Sequence, residues 1–112
     1  MSYNNLKINL SQNATDNEKM TIFLNGSLDN YNYKEFVLKI NKLIKENPVN
    51  FIFDCSNLHY ISASGLGAFM EILRKVKRYD GTLSLVSIQP QVFEVFELLG
   101  FSNFINIINS AA

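Results

Sequence analysis

The chain has no tryptophan, one cysteine and one histidine, and its ten basic residues are cancelled by ten acidic ones. Each scarcity excludes something. A lone thiol, Cys55, cannot form an internal disulfide; it suits a reducing compartment and reads as a small buried strand residue. The single histidine, His59, has no second histidine, cysteine pair or metal-ligand spacing beside it, so no metal site is expected. A Ser-His-Asp hydrolase would need Gly-x-Ser-x-Gly, and Ser62-Ala63-Ser64-Gly65-Leu66 has neither glycine in place. There is no Walker A loop and no Gly-x-Gly-x-x-Gly, so no cofactor is implied. Zero net charge gives no reason to expect nucleic acid or an anionic membrane as the main partner. No apolar run approaches the ~20 residues of a membrane span. The N-terminus lacks the charged, apolar, small-residue order of a signal peptide. The expectation is a cytoplasmic protein without direct membrane insertion.

What is present is a globular composition, 47% hydrophobic over 112 residues, which reads as one domain spanning 1–112 with its core at about 6–108. Leu6, Ile8 and Leu10 alternate with Lys7 and Asn9 as a half-buried strand does. A polar turn over Gln12 to Asn17 leads to a second strand from Met20 to Leu24, ended by Gly26. Asp29 or Asn30 is placed to cap a first helix, with Phe36, Ile40, Leu43 and Ile44 inward and Asn47-Pro48 as its stop. Val49 to Asp54 forms a third strand. Ser64 to Tyr79 forms a second helix, whose Leu66, Phe69, Met70, Leu73 and Val76 make one apolar stripe. Thr82 to Val86 is a fourth strand after the Asp80-Gly81 turn. Pro90 opens a third helix with Val92, Val95, Phe96 and Leu99 inward and Gly100 just past its end. Phe104 to Ile108 has room for a last short strand. The fold class is α/β: a mixed four- to five-stranded sheet flanked by helices gathered on one side, in the order β-β-α-β-α-β-α with an optional final β.

The most informative stretch runs from Asp54 to Gly67, out of the apolar strand Phe51-Ile52-Phe53, through a polar turn, into a helix opened by small hydroxyl residues and glycine. Ser62 or Ser64 can cap the free N–H groups there. Gly65 and Gly67 would let another chain or an anion approach the helix start. Asp29 and Asp54, at expected strand or loop ends, fall near this turn, and Tyr31, Tyr33 and Tyr60 stand outside core spacing as candidate interface anchors. Arg74, Lys75, Lys77 and Arg78 crowd the end of the second helix, as a solvated face or as an aid to docking an acidic partner.

Ile61-Ser62-Ala63-Ser64-Gly65-Leu66 resembles the signature of the STAS domain, in the form carried by bacterial anti-sigma-factor antagonists, often Asp-Ser-Ser-Gly-Leu or Asp-Ser-Thr-Gly-Leu. Gly26-Ser27-Leu28-Asp29, Asp54-Cys55-Ser56 and Phe96-Glu97-Leu98-Leu99-Gly100-Phe101 resemble further family segments in the right order. The resemblance implies a STAS fold, no enzymatic activity, and one protein partner. That partner is a serine-kinase-type anti-sigma factor, which the chain binds so that the sigma factor is freed. It also implies that Asp29, Tyr31, Asp54, Tyr60, Ser62, Ala63, Ser64, Gly65 and Leu66 face that partner. The phosphorylated serine of the family aligns with Ala63, flanked by Ser62 and Ser64; an alanine, whether native or substituted, has no hydroxyl to accept phosphate. A second role open to such a domain is a scaffold or regulatory subunit in a stressosome-like, lipid-transport or transporter complex. Monomer and oligomer are both compatible with the sequence.

Overall fold

Nine segments succeed one another in the computed structural model, which describes residues 6–12, 19–46 and 50–108. They are strands β1 (Leu6–Gln12) and β2 (Lys19–Leu28), helix α1 (Tyr33–Glu46), β3 (Asn50–Ile61), α2 (Ala63–Arg78), β4 (Thr82–Val86), α3 (Pro90–Leu98), a 3-10 turn at Phe101–Asn103, and β5 (Asn106–Ile108). The expected turn over 13–17 and the Asn47-Pro48 helix stop lie outside the described residues. β1 and β2 are antiparallel, β2 to β5 are parallel, and the spatial order is β1-β2-β3-β4-β5. Right-handed crossovers in a sheet that grows in one direction must put every helix on the same face. Four aromatic rings bear this out. Phe53 of β3 meets Phe36 of α1 at 6.0 Å and Phe69 of α2 at 5.3 Å, and Phe69 meets Phe96 of α3 at 5.9 Å. These edge-on and tilted pairs tie all three helices to one strand.

The helical stripes follow the sequence spacing. Phe36, Val37, Ile40 and Ile44 are buried in α1, and Leu66, Phe69, Ile72, Leu73 and Val76 in α2. Leu43 and Met70 are half-buried. In α3, Val92 and Phe96 are buried, but Leu99 is exposed, contrary to expectation. The helix stops at Leu98, so the backbone at Leu99 no longer carries the stripe inward. Gly100 has the left-handed backbone expected just past a helix end.

β3 departs most from expectation. It does not end at Asp54; it continues paired with β2 to Ile61. Between Phe23 and Leu28, β2 advances five residues while β3 advances seven, from Asp54 to Ile61, with register shifts at Phe23/Asn25 and Gly26/Ser27. Two extra residues on one strand are two bulges, and they change the inward spacing from two to three: Cys55, Leu58 and Ile61 are buried while the residues between them are exposed. Gly26 faces this irregular stretch with φ 116, a backbone region that a side chain would resist.

Among the described residues, no helix lies on the opposite face of the sheet. The outward row Phe23, Asp54 and Val86 is partly open to solvent. This asymmetry gives a test. Phe69→Ala should cost about 3–5 kcal/mol, the usual range for a buried aromatic. Phe23→Ala, at a residue 38% exposed on the open face, should cost only about 1–2 kcal/mol. Denaturant midpoints of the two variants measure the difference, and equal losses would contradict the one-sided core.

Candidate functional site

The ends of β2 and β3 meet at one edge of the sheet. Ser27 pairs with Tyr60 and Leu28 with Ile61, after which one chain enters the Asp29–Asn32 loop and the other enters α2. The Ser62 N–H donates to the Leu28 carbonyl at 2.9 Å and carries that pairing into the turn. Ser62 is itself the N-cap of α2: its Oγ accepts from the Gly65 N–H at 3.1 Å, and its carbonyl accepts the first helical bond from Leu66. Ala63 is the first residue of the helix and is exposed; Ser64 follows, half-buried. The orphan N–H groups that begin a helix are thus partly spent on Ser62, leaving those of Ala63 and Ser64 in the first turn, at the positive end of the dipole.

The loop opposite is fixed by a reciprocal pair. The Asp29 carboxylate accepts from the backbone N–H groups of Tyr31 at 2.9 Å and Asn32 at 3.2 Å, and the Asn32 amide oxygen accepts from the Asp29 N–H at 2.9 Å. The Asn32 side chain also donates to the Ser27 carbonyl at 2.8 Å. Asp29 therefore shapes its own loop, and the buried Asn32 precedes α1 where Asp29 or Asn30 was expected to. Tyr31 is 75% exposed and Tyr60 is 55% exposed, whereas Tyr33 packs partly against the core.

Three expected site residues lie elsewhere. Leu66 is fully buried, because it faces inward with Phe69 and Leu73 on the helix stripe; it supports the surface from below. Gly65 is also buried. A Cβ there would stand 2.9 Å from the Leu28 carbonyl oxygen, the Leu28 side chain and the Ile61 side chain. The glycine admits this chain's own β2, not a visiting one. Asp54 lies seven residues before Ile61 on β3, beside Val86 and Phe23, where its carboxylate accepts from the Ser56 N–H at 3.0 Å and hydroxyl at 2.7 Å. It stabilises the bulge and does not reach the helix start. The edge therefore collects Asp29, Tyr31, Tyr60, Ser62, Ala63 and Ser64.

The remaining chemistry is sparse. His59 is exposed on β3, with Nδ1 3.4 Å from the Gln89 side chain. Among the described residues no three His, Cys, Asp or Glu side chains come together as a metal site, and no helix is long and apolar enough to cross a membrane. Burial, with a smaller contribution from the Asp54 charge, pushes the Cys55 thiol from 9.0 up to about 12.

Two outcomes are expected. Gly65→Ala should destabilise by about 1–3 kcal/mol through overpacking against β2. Gly67→Ala, where an added Cβ meets nothing within 4 Å, should stabilise the helix by about 0.5–1 kcal/mol. Opposite shifts in melting temperature check both. Cys55 should resist alkylation in the native protein near pH 8 and react once the chain is unfolded. Since its folded value is the raised one, the thiol's contribution to stability is intact below pH 9 and is lost as pH climbs toward about 12.

Comparison with known proteins agrees with the fold. The family model of the STAS domain matches residues 8–112. An anti-sigma-B factor antagonist of Listeria monocytogenes is 24% identical over 105 residues, covering 94% of this chain and 90% of the relative. The structure of an anti-sigma factor antagonist from Mycobacterium paratuberculosis superposes with a TM-score of 0.79 at 13% identity, over 95% of this chain and 87% of that one. The anti-sigma factor antagonist SpoIIAA in its unphosphorylated form gives a TM-score of 0.72 at 20% identity, over 94% and 90%. With nearly its whole length matched and the five-stranded, one-sided sheet in place, the chain belongs to the STAS domain family.

Proposed function

We propose that this chain is an anti-sigma-factor antagonist that docks a serine-kinase-type anti-sigma factor at the edge formed by Asp29, Tyr31, Tyr60 and Ser62 to Ser64. Docking would make the anti-sigma factor release its sigma factor. The observation that carries this reading is the position of Ala63: exposed, first in α2, and beside the loop that Asp29 holds in shape. In this reading residue 63 is the phosphoacceptor position of the family. A phosphate there would meet free N–H groups and a favourable dipole, so it would leave the fold intact while adding charge to a docking surface. Alanine removes that option and holds the chain in its binding form. The buried Ser62 hydroxyl is engaged as a cap, so it does not substitute. A kinase that aligns one hydroxyl with the γ-phosphate tolerates little displacement; about 1 Å can cost ~100-fold in rate. Catalysis by this chain has no part in the reading.

One observation favours assembly into a larger STAS complex. Leu98, Leu99 and Phe104 are all more than half exposed at the far end of α3, a concentration of apolar surface that soluble domains usually cover. Co-purification separates the readings: a kinase-fold ATPase supports the first, other STAS subunits or a transporter support the second.

The direct test uses residue 63. Ala63→Glu should weaken binding to the kinase-type anti-sigma factor ~30-fold or more, because an unpaired charge desolvated at an interface costs ~2–5 kcal/mol. Its melting temperature should barely move. Ala63→Ser should accept one phosphate from that kinase and ATP, by mass spectrometry, while the unaltered chain accepts none. Unchanged binding with a large fall in melting temperature would make residue 63 a folding position and end the proposal.

A further inference from the structure

The far ends of α1 and α2 enclose a cavity of about 70 Å³, lined by Asn41, Ile44, Lys45, Lys75, Arg78 and Tyr79. The sequence spacing brings these groups together: Asn41 and Lys45 are four apart on one helix, and Lys75 and Arg78 three apart on the other, so each pair shares a face. Three of the lining residues are cations, and no carboxylate lines the cavity; Glu46 and Asp80, next in sequence to Lys45 and Tyr79, are not among the lining residues. Among the described residues none of the three cations has an ion-pair partner. The two helix C-termini offset only part of this charge. Each contributes about half a negative charge, which leaves roughly two positive charges uncompensated.

A second observation concerns one of the lining residues, Asn41. The Asn41 amide oxygen is buried without a hydrogen-bond partner, a costly arrangement that a protein seldom keeps without use. A half-turn of the amide exchanges its oxygen for its nitrogen and turns this position into a donor.

We propose that this cavity binds a phosphate monoester, either on a soluble small molecule or on a lipid headgroup. Arg78 supplies the forked pair of donors that fits two phosphate oxygens, Lys45 and Lys75 supply point charge, and the Asn41 amide donates from within. The half-exposed Tyr79 completes the lining. Twelve residues of α2 separate Lys75 from Ala63, about 18 Å along the helix, so this pole is distinct from the docking edge.

The test titrates inorganic phosphate into isotope-labelled protein at fixed ionic strength and follows amide resonances. A saturable shift is expected at Asn41 and at residues 77–81, with residues 62–66 still. The Lys75→Gln, Arg78→Gln double variant and Asn41→Asp should each raise the apparent Kd at least tenfold while the rest of the spectrum stays native. Pelleting with vesicles of phosphatidylcholine, with and without phosphatidic acid, then separates the sources. Phosphate saturation without pelleting assigns a soluble monoester; pelleting that needs phosphatidic acid and is lost in the variants assigns a headgroup. Non-saturating shifts, or equal shifts in the wild type and both variants, would overturn the proposal.

Discussion

The start of α2 rests directly on the end of β2, and most of the molecule depends on that approach. Gly65 leaves no room for even a methyl group against Leu28 and Ile61, while the Ser62 N–H is bonded to the Leu28 carbonyl. The contact sets where the second helix begins and, from the other side, where the Asp29–Asn32 loop must turn away. Because both chains leave the sheet at the same height, α1 and α2 set out side by side. One small residue thus places the two halves of the edge proposed for docking.

The bulges in β3 bring that edge about. Without them, the strand would reach the end of β2 two residues earlier in sequence, and a period-two pattern would carry Leu58 to the open face. With them, Cys55, Leu58 and Ile61 all point into the core while Tyr60 stays outside. Asp54 holds the first irregularity through Ser56, which explains a carboxylate in the middle of a central strand. The aromatic chain Phe36, Phe53, Phe69 and Phe96 then closes the helical layer over the regular half of the sheet.

Most elements were legible because their periods are clean. The stripes of α1 and α2 and the short strand Thr82–Val86 announce themselves by spacing, and the order of elements follows. What stayed hidden came from interactions distant in sequence. The second half of β3 reads as a turn, since Ser56, Asn57 and His59 are polar and the buried residues come every third position; only pairing with β2 makes it a strand. Asp54 was placed at a strand end for the same reason. Leu66 belongs to both the signature and the apolar stripe, and the stripe decides its orientation. Asn32 gave a faint signal, an Asp-x-x-Asn spacing that allows two side chains to bond each other's backbone. Its burial could not be read from spacing.

The order of strands in space repeats their order along the chain, and this has a consequence for synthesis. Each new β-α unit emerging from the ribosome finds its docking edge already made, with no earlier element to be pried apart for insertion. Growth of the sheet can follow translation from one side to the other. The reverse also holds: β5, paired to β4 over three positions only, is the natural first piece to detach, and its release uncovers β4 without disturbing the edge that carries Ala63.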